Sequence, residues 1–248
     1  MYKRQGLHWL LFDANCKAAE SSWEREIQKA LKGQEAGILK LAKKYLKDEK
    51  QTDPKTAKVF VAKVEEFLED NLPELLAFVY PLVFSTAKAG VKQAAAKLGL
   101  SFGVLQEGLL GYAERESAFL STVMNGTTGK DVAKAVQKGL EAGETVGSLT
   151  KRLGQLPAFD RARAKMTART ETTRAWNGAQ RETLSGYQAD SGNKVEKSWL
   201  SSRDDRVRIE HVDLDDGSWI PVDATFGNGL KEPGEPNCRC TLIYRIPD

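Results

Sequence analysis

No alternating, strand-like pattern occurs before residue 125 of this 248-residue chain, and apolar side chains recur there at helical spacing instead. Trp23, Ile27, Ala30 and Leu31, then Ile38, Leu41, Ala42 and Leu46, draw one apolar stripe along a helix over residues 14–50. Lys40, Lys43, Lys44, Lys47 and Lys50 lie off that stripe and read as a solvated face. Asp53-Pro54 starts a second helix, with Asp53 as N-cap and Pro54 at the first helical position, where a missing N–H is harmless. Phe60, Val64 and Phe67 form its stripe, and it ends near Asn71-Leu72-Pro73. Two more helices are expected, from Pro73 to Lys97 with a kink near Pro81, and from Leu100 to Val123.

Asn125-Gly126-Thr127-Thr128-Gly129 is a cluster of helix breakers and reads as a boundary. It divides a helical arm, residues 1–126, from a second domain, residues 127–248. Helices are expected there at Lys130–Ala142, at Ser148–Leu156 and, after Pro157, at Phe159–Tyr187, which is rich in alanine and arginine. After Gly192 the texture changes. Lys194–Ser202 and Ser218–Val222 read as short strands. Cys238–Ile246 alternates, with Cys238, Cys240, Leu242, Tyr244 and Ile246 on one face and Arg239, Thr241 and Arg245 on the other, as a half-buried strand would. A loop rich in Gly and Pro, Gly227–Asn237, separates these strands. The fold class is therefore α+β, an all-helical N-terminal half followed by a small mixed domain with a short sheet.

The chain carries 37 basic and 34 acidic residues, a balance that excludes a globally basic nucleic-acid binder, so any DNA contact must come from a local patch. With 41% apolar and 29% charged residues, wholesale disorder is excluded. The sparse, odd set of cysteines, Cys16, Cys238 and Cys240, argues against a disulfide-stapled module. His8 and His211, the only histidines, exclude most multi-histidine centres. The apolar opening ends at Asp13 with no small-residue cleavage site, so no signal peptide is expected. The longest apolar stretch, Leu75–Phe84, is about half of the roughly 20 residues a spanning helix needs, and Pro81 interrupts it. A buried core helix, no membrane contact and a reducing cytoplasm are expected.

Three groups of residues can carry chemistry. From Arg161 to Arg181 the sequence is distinctly basic, with Glu171 as its single acid. Arg161, Arg163, Lys165, Arg169 and Arg174 can contact phosphate; alternatively they pair with acids elsewhere in the fold. In Ser201–His211, Ser202 and Asp205 can cap a short helix on which Asp204, Arg208 and His211 stack at i, i+4 and i+7. That stack can bind a metal, bind an anion or staple a loop. In Pro236-Asn-Cys-Arg-Cys240, C-x-C on a strand points both sulfurs to one face. With His211 this makes three soft ligands for one zinc ion, and Asp204 or Asp205 can supply a fourth. Alternatively, both cysteines are small apolar core residues. There is no Gly-rich phosphate loop and no H-E-x-x-H. Cys238 with His211 as nucleophile and base has only Arg239 nearby to lower the thiol pKa.

These motifs follow one another in a fixed order: Ala168-Arg-Thr-Glu171, Trp199, Asp205-Arg-Val-Arg208, His211, Leu214-Asp-Asp-Gly217 and Pro236-Asn-Cys-Arg-Cys240. The ordered set resembles the phage Mu F-like head morphogenesis family, the minor head proteins of tailed phages, over about residues 128–246. One departure is that Glu235 stands where members often carry a histidine, which leaves His211, Cys238 and Cys240 as the metal candidates. Trp199, Asp204, Asp205, Arg208 and Gly217 are the remaining motif residues. The resemblance implies a virion component, made in the host cytoplasm and housed in the procapsid or capsid interior. Its implied partners are the portal protein and the major capsid protein, with double-stranded DNA as a secondary contact, and its implied role is docking without turnover. Two alternatives stand beside it. One is an enzyme, either a metal-dependent hydrolase or an ADP-ribosyltransferase-like effector suggested by Arg-Thr-Glu, although the Glu24/Glu26 and Glu114/Glu116 pairs lie outside that segment. The other is a free nucleic-acid-binding protein, whose affinity would fall steeply with salt.

Overall fold

The computed structural model describes residues 2–46 and 53–247, with side chains from His8 onward. Helix α1 (Tyr2–Tyr45) is followed by α2 (Pro54–Asp70), α3 (Leu72–Leu98), a 3-10 turn (Phe102–Leu105), α4 (Gln106–Glu141) and α5 (Val146–Leu153). A second 3-10 turn (Pro157–Phe159) leads into α6 (Arg161–Ser191). The chain closes with β1 (Glu196–Leu200), α7 (Ile209–Asp213), β2 (Ile220–Pro221) and β3 (Thr241–Arg245). The fold is α+β as expected, mostly helical with a small antiparallel sheet near the C-terminus.

Several helix limits follow from local chemistry. Asp53 caps α2 by accepting from the backbone N–H groups of Lys55 and Thr56, with Pro54 at the start, as the sequence indicated. Lys40, Lys43 and Lys44 are exposed on α1, whereas Lys47 and Lys50 lie outside the described residues. Helix α3 continues through Pro81. Among the described residues it is the one helix long and apolar enough to cross a membrane by length and composition, with 44% of its apolar window buried inside the protein.

The breaker cluster does not break the chain. Residues 125–129 lie inside α4, so the boundary expected at 126/127 falls within one continuous helix. Tertiary contacts override the weak helix propensity of these residues. Asn125 donates to the carbonyl of Leu68 at 2.6 Å and accepts from Gln34 at 2.7 Å, and the buried Thr128 hydroxyl bonds both Gln34 and the Met124 carbonyl. The compact units are accordingly not sequential halves. One unit comprises residues up to Trp23, Tyr80–Glu116 and Met166 onward; the other comprises Glu24–Val79 and Ser117–Lys165. Each crossing between them occurs within a helix.

Among the described residues the second of these units has no strand element; its helices enclose a core built from Ile38, Phe60, Val64, Leu68, Val136 and Leu149. The first holds the sheet, whose order is β2-β1-β3, all antiparallel. Trp199 faces Leu242 and Lys197 faces Tyr244, so the last strand pairs with the strand around Trp199. The expected half-buried alternation is not what forms. Strand β3 begins only at Thr241, and Thr241, Leu242, Ile243 and Tyr244 are all buried, so both faces are covered. The alternating polar position at Thr241 is satisfied by a side chain of α6 rather than by water.

Candidate metal centre

Helix α6 and the segment Glu235–Leu242 are joined by a ladder of side-chain hydrogen bonds. Thr170, Thr173 and Asn177 lie at i, i+3 and i+7 and so share one helix face. The Thr170 hydroxyl accepts from the backbone N–H of Asn237 at 3.1 Å, and the Thr173 hydroxyl donates to the Cys238 carbonyl at 2.9 Å. The Asn177 amide donates to the carbonyl of Cys240 at 3.2 Å. Its oxygen accepts from the Thr241 hydroxyl at 2.9 Å and from the N–H of Leu242 at 3.1 Å. The carbonyls of both cysteines and the N–H groups of Asn237 and Leu242 are thereby tied to the helix carrying the Ala-Arg-Thr-Glu motif.

The turn before the cysteines follows from Pro236-Asn237. The Cys238 N–H returns to the Glu235 carbonyl at 3.0 Å, and Asn237 takes φ +60°, the left-handed value a type II turn requires at its third residue and asparagine tolerates. The turn, not a strand, therefore positions the sulfurs. The N–H of Cys240 points to the Cys238 sulfur at 3.4 Å.

His211 closes the group. Its Nδ1 lies 3.6 Å from Cys238 Sγ and 3.6 Å from Cys240 Sγ, and all three donor atoms lie within 4.8 Å of one another. His211, Cys238 and Cys240 are 1%, 3% and 2% exposed. Trp199 meets the imidazole edge-on, with ring centroids 5.0 Å apart, and packs on Phe226 behind it. On the far side of the ring, Nε2 is 2.6 Å from Glu235 Oε2. The two thiols titrate as a pair. The hydrogen bond from Cys240, reinforced by His211, holds Cys238 below the ordinary thiol range, whereas that same hydrogen bond to Cys238, then burial and the charge on Cys238, push Cys240 far up. The hydrogen bond with Cys238 raises the His211 pKa against its burial, with Glu235 adding to the effect.

The expected capped helix over Ser202–His211 does not form. Helix α7 begins at Ile209, and Asp204 and Arg208 precede it. Two features prevent the longer helix. Arg203 takes φ +55°, and Asp204 spends its carboxylate on the Ser202 hydroxyl and on the backbone and guanidinium of Arg206. Asp205 is exposed. Arg208 instead donates to the Pro236 carbonyl at 2.7 Å and approaches Glu235 at 3.8 Å. Gly217 sits in a turn at φ +80°, which glycine alone adopts freely. Just before it Asp215, a residue the sequence did not single out from its motif, accepts from Ser201 and, with both oxygens, from the Nε–Nη2 edge of the Arg203 guanidinium.

Four of the five basic residues proposed to meet phosphate also bond within the protein. Arg161 pairs with Glu24 at 2.6 Å, and Lys165 is exposed. Arg163 turns inward, donating to the carbonyls of Ala158 and Met124 and to the Thr128 hydroxyl. Arg169 faces Glu20 at 3.6 Å. Arg174 pairs with Glu171 at 3.2 Å and donates to the Gly234 carbonyl at 3.1 Å, anchoring the loop that leads to Glu235. Burial pushes the Glu171 carboxyl up to about 7 despite Arg174.

Chemically, the cluster can act in two ways. A tetrahedral zinc ion, with metal–sulfur near 2.3 Å and metal–nitrogen near 2.0–2.1 Å, would separate each sulfur from the nitrogen by about 3.5 Å. The two N···S distances match that edge, and the soft, buried donor set fits such an ion. A cavity of about 150 Å³ adjoins the cluster, lined by Asp204, Arg169, Arg206, Arg208 and Arg239 together with the donors themselves. Alternatively, Cys238 and His211, the nucleophile–base pair the sequence offered, gain Glu235 as an orienter that the sequence did not reveal. Two sulfurs equidistant from one nitrogen, both nearly inaccessible, fit a shared ion better than a nucleophile, which needs one exposed sulfur.

Residues 123–243 match the family model described as Phage Mu protein F like protein. Over 127 residues, 47% of this chain, the sequence is 34% identical to Minor head protein GP7 of Bacillus phage SPP1, and the match spans 40% of that protein's length. Over 239 residues, 89% of this chain and 76% of the relative, it is 26% identical to Uncharacterized protein YqbB of Bacillus subtilis (strain 168). No solved structure matches the chain.

Proposed function

We propose, from the match of residues 123–243 to the Phage Mu protein F like family model, that this chain is a minor head protein of a tailed bacteriophage or prophage that docks on the portal protein and the major capsid protein and assists head assembly, DNA packaging or DNA delivery. The family match and the likeness to a minor head protein support a phage head protein, and with it a place in the virion. The observation that carries the reading is that the matched stretch covers the elements that assemble the centre, from α6 through β1 and α7 to β3. This is the segment an assembly factor would keep rigid. A docking role requires no turnover, and the nearly closed donor cluster suits it.

The same reading assigns the cluster a zinc ion held by His211, Cys238 and Cys240, which would fasten α7 to the C-terminal segment. Double-stranded DNA is a secondary contact, with exposed Lys165 and Arg161 the residues best placed to reach a phosphate. The test is to isolate procapsids from a strain expressing the tagged chain together with a portal protein and a major capsid protein of a tailed phage. The chain should sediment with the particles and be retained by immobilised portal. Absence from both, combined with His211-dependent turnover of a substrate, would replace this reading with the enzyme.

A further inference from the structure

We propose that Glu235 is the positioning residue of this centre: its carboxylate holds the Nε2–H tautomer of His211, so that the Nδ1 lone pair faces Cys238 and Cys240 and completes a Cys2His donor set for a zinc-class divalent ion. The proposal rests on the zinc reading above. An imidazole presents only one lone pair when neutral, and which nitrogen carries it is set by the bond the other nitrogen makes. Here the other nitrogen meets Glu235 Oε2 at 2.6 Å, while Nδ1 lies equidistant from the two sulfurs. Glu235 cannot ligate the same ion while it holds this bond, because it sits at the ring nitrogen turned away from the sulfurs.

The carboxylate is itself fixed. Glu235 and Cys238 are the first and last residues of one hydrogen-bonded turn, so the orienting group and a ligand move together. Arg208 clamps that turn by donating to the Pro236 carbonyl and lies 3.8 Å from the Glu235 carboxylate. Trp199, edge-on to the ring, restricts the imidazole from the side. The aspect that made Glu235 look like a departure in the sequence, a carboxylate in place of a further nitrogen donor, is thus the feature that assigns the tautomer.

The experiment uses the full chain, purified under reducing conditions and stripped of metal. Cobalt(II) is titrated in and then displaced with zinc to give affinities. Native protein should show thiolate-to-cobalt charge-transfer absorption and bind one equivalent. Glu235→Ala should weaken binding by about 10–100-fold, with the charge-transfer intensity at saturation unchanged because the ligands are unchanged. Glu235→Gln, which keeps an acceptor oxygen, should fall between the two. Far-UV circular dichroism and the melting temperature of the metal-free variants should match metal-free native protein. Equal affinity in Glu235→Ala, or a saturated spectrum that has lost a ligand, would overturn the proposal while leaving a metal site in place. Failure of native protein to bind either ion would instead remove the zinc reading on which the proposal rests.

Discussion

Replacing Asn177 by alanine tests the ladder that holds the cysteine segment. Asn177 is fully buried, and its amide donates to the carbonyls of Thr173 and Cys240 while its oxygen accepts from the Leu242 N–H and the Thr241 hydroxyl. The Thr173 carbonyl lies within the helix and the Thr241 hydroxyl can rotate to another partner. The Leu242 N–H and the Cys240 carbonyl cannot move, so alanine leaves two buried backbone groups without the side chain that satisfied them. At about 1–3 kcal/mol for each orphaned group, the loss is about 2–6 kcal/mol, a large share of the 5–15 kcal/mol or so that holds a domain folded. Urea unfolding followed by Trp fluorescence should show the midpoint falling with the slope unchanged, since the surface exposed on unfolding is the same. Asn177→Asp keeps the acceptor but loses both donations and buries a charge, so it should be at least as damaging. In a double-mutant cycle, Thr241→Val should add less to Asn177→Ala than it costs alone, because the shared bond is already gone. An Asn177→Ala loss below about 1 kcal/mol at constant slope would refute the ladder, meaning that packing of α6 on the sheet is sufficient without it.

Other consequences are open to measurement. Trp199→Ala should cost about 3–5 kcal/mol, because Trp199 is 1% exposed and backs both His211 and Phe226, and it should also weaken cobalt binding. Gly37→Ala should destabilise the helical unit by about 1–3 kcal/mol, because an added Cβ would strike the ring of Phe67, and the accompanying Phe67→Leu change should recover part of the loss. Burial, with help from Lys97, holds His8 down to about 4 while its Nε2 donates to the Leu242 carbonyl. The unfolded chain therefore binds the proton more readily, so this contribution to stability is complete above about pH 6.5 and is lost as pH falls towards 4. The unfolding midpoint of native protein should drop more between pH 7.5 and pH 4.5 than that of His8→Gln. With zinc bound, iodoacetamide should leave Cys238 and Cys240 unmodified; one fast-reacting thiol in the zinc-loaded protein would favour the nucleophile over the shared ion.

The sequence by itself determined the parts of this protein that depend on neighbours along the chain. Asp53-Pro54 set the start of α2 because the cap and the fixed proline φ act within one turn, and the apolar stripe of Phe60 and Val64 chose the face that is buried. Bulky residues such as Trp199, Ile243 and Tyr244 marked the last segments as strands, and the order of motifs suggested His211 and both cysteines as one group. Only the tertiary structure decided the rest. Asn125–Gly129 carries every local mark of a break, yet it continues α4 because Gln34 and Leu68, remote in sequence, satisfy its polar groups. Asp204 was expected on a helix with His211, but it bonds its own backbone more cheaply as a turn, and Arg203 leaves the helical region. The sequence left the arginines of α6 between phosphate and acids elsewhere; the fold brings Glu24 to Arg161 and Glu20 to Arg169, whereas Glu171 reaches Arg174 from one turn away on the same helix. Asn177 and Glu235 had no legible role at all. Each acts through hydrogen bonds to groups whose positions are fixed only when α6, α7 and the turn at Pro236 have packed together, and a hydrogen bond between distant residues leaves no period in a sequence.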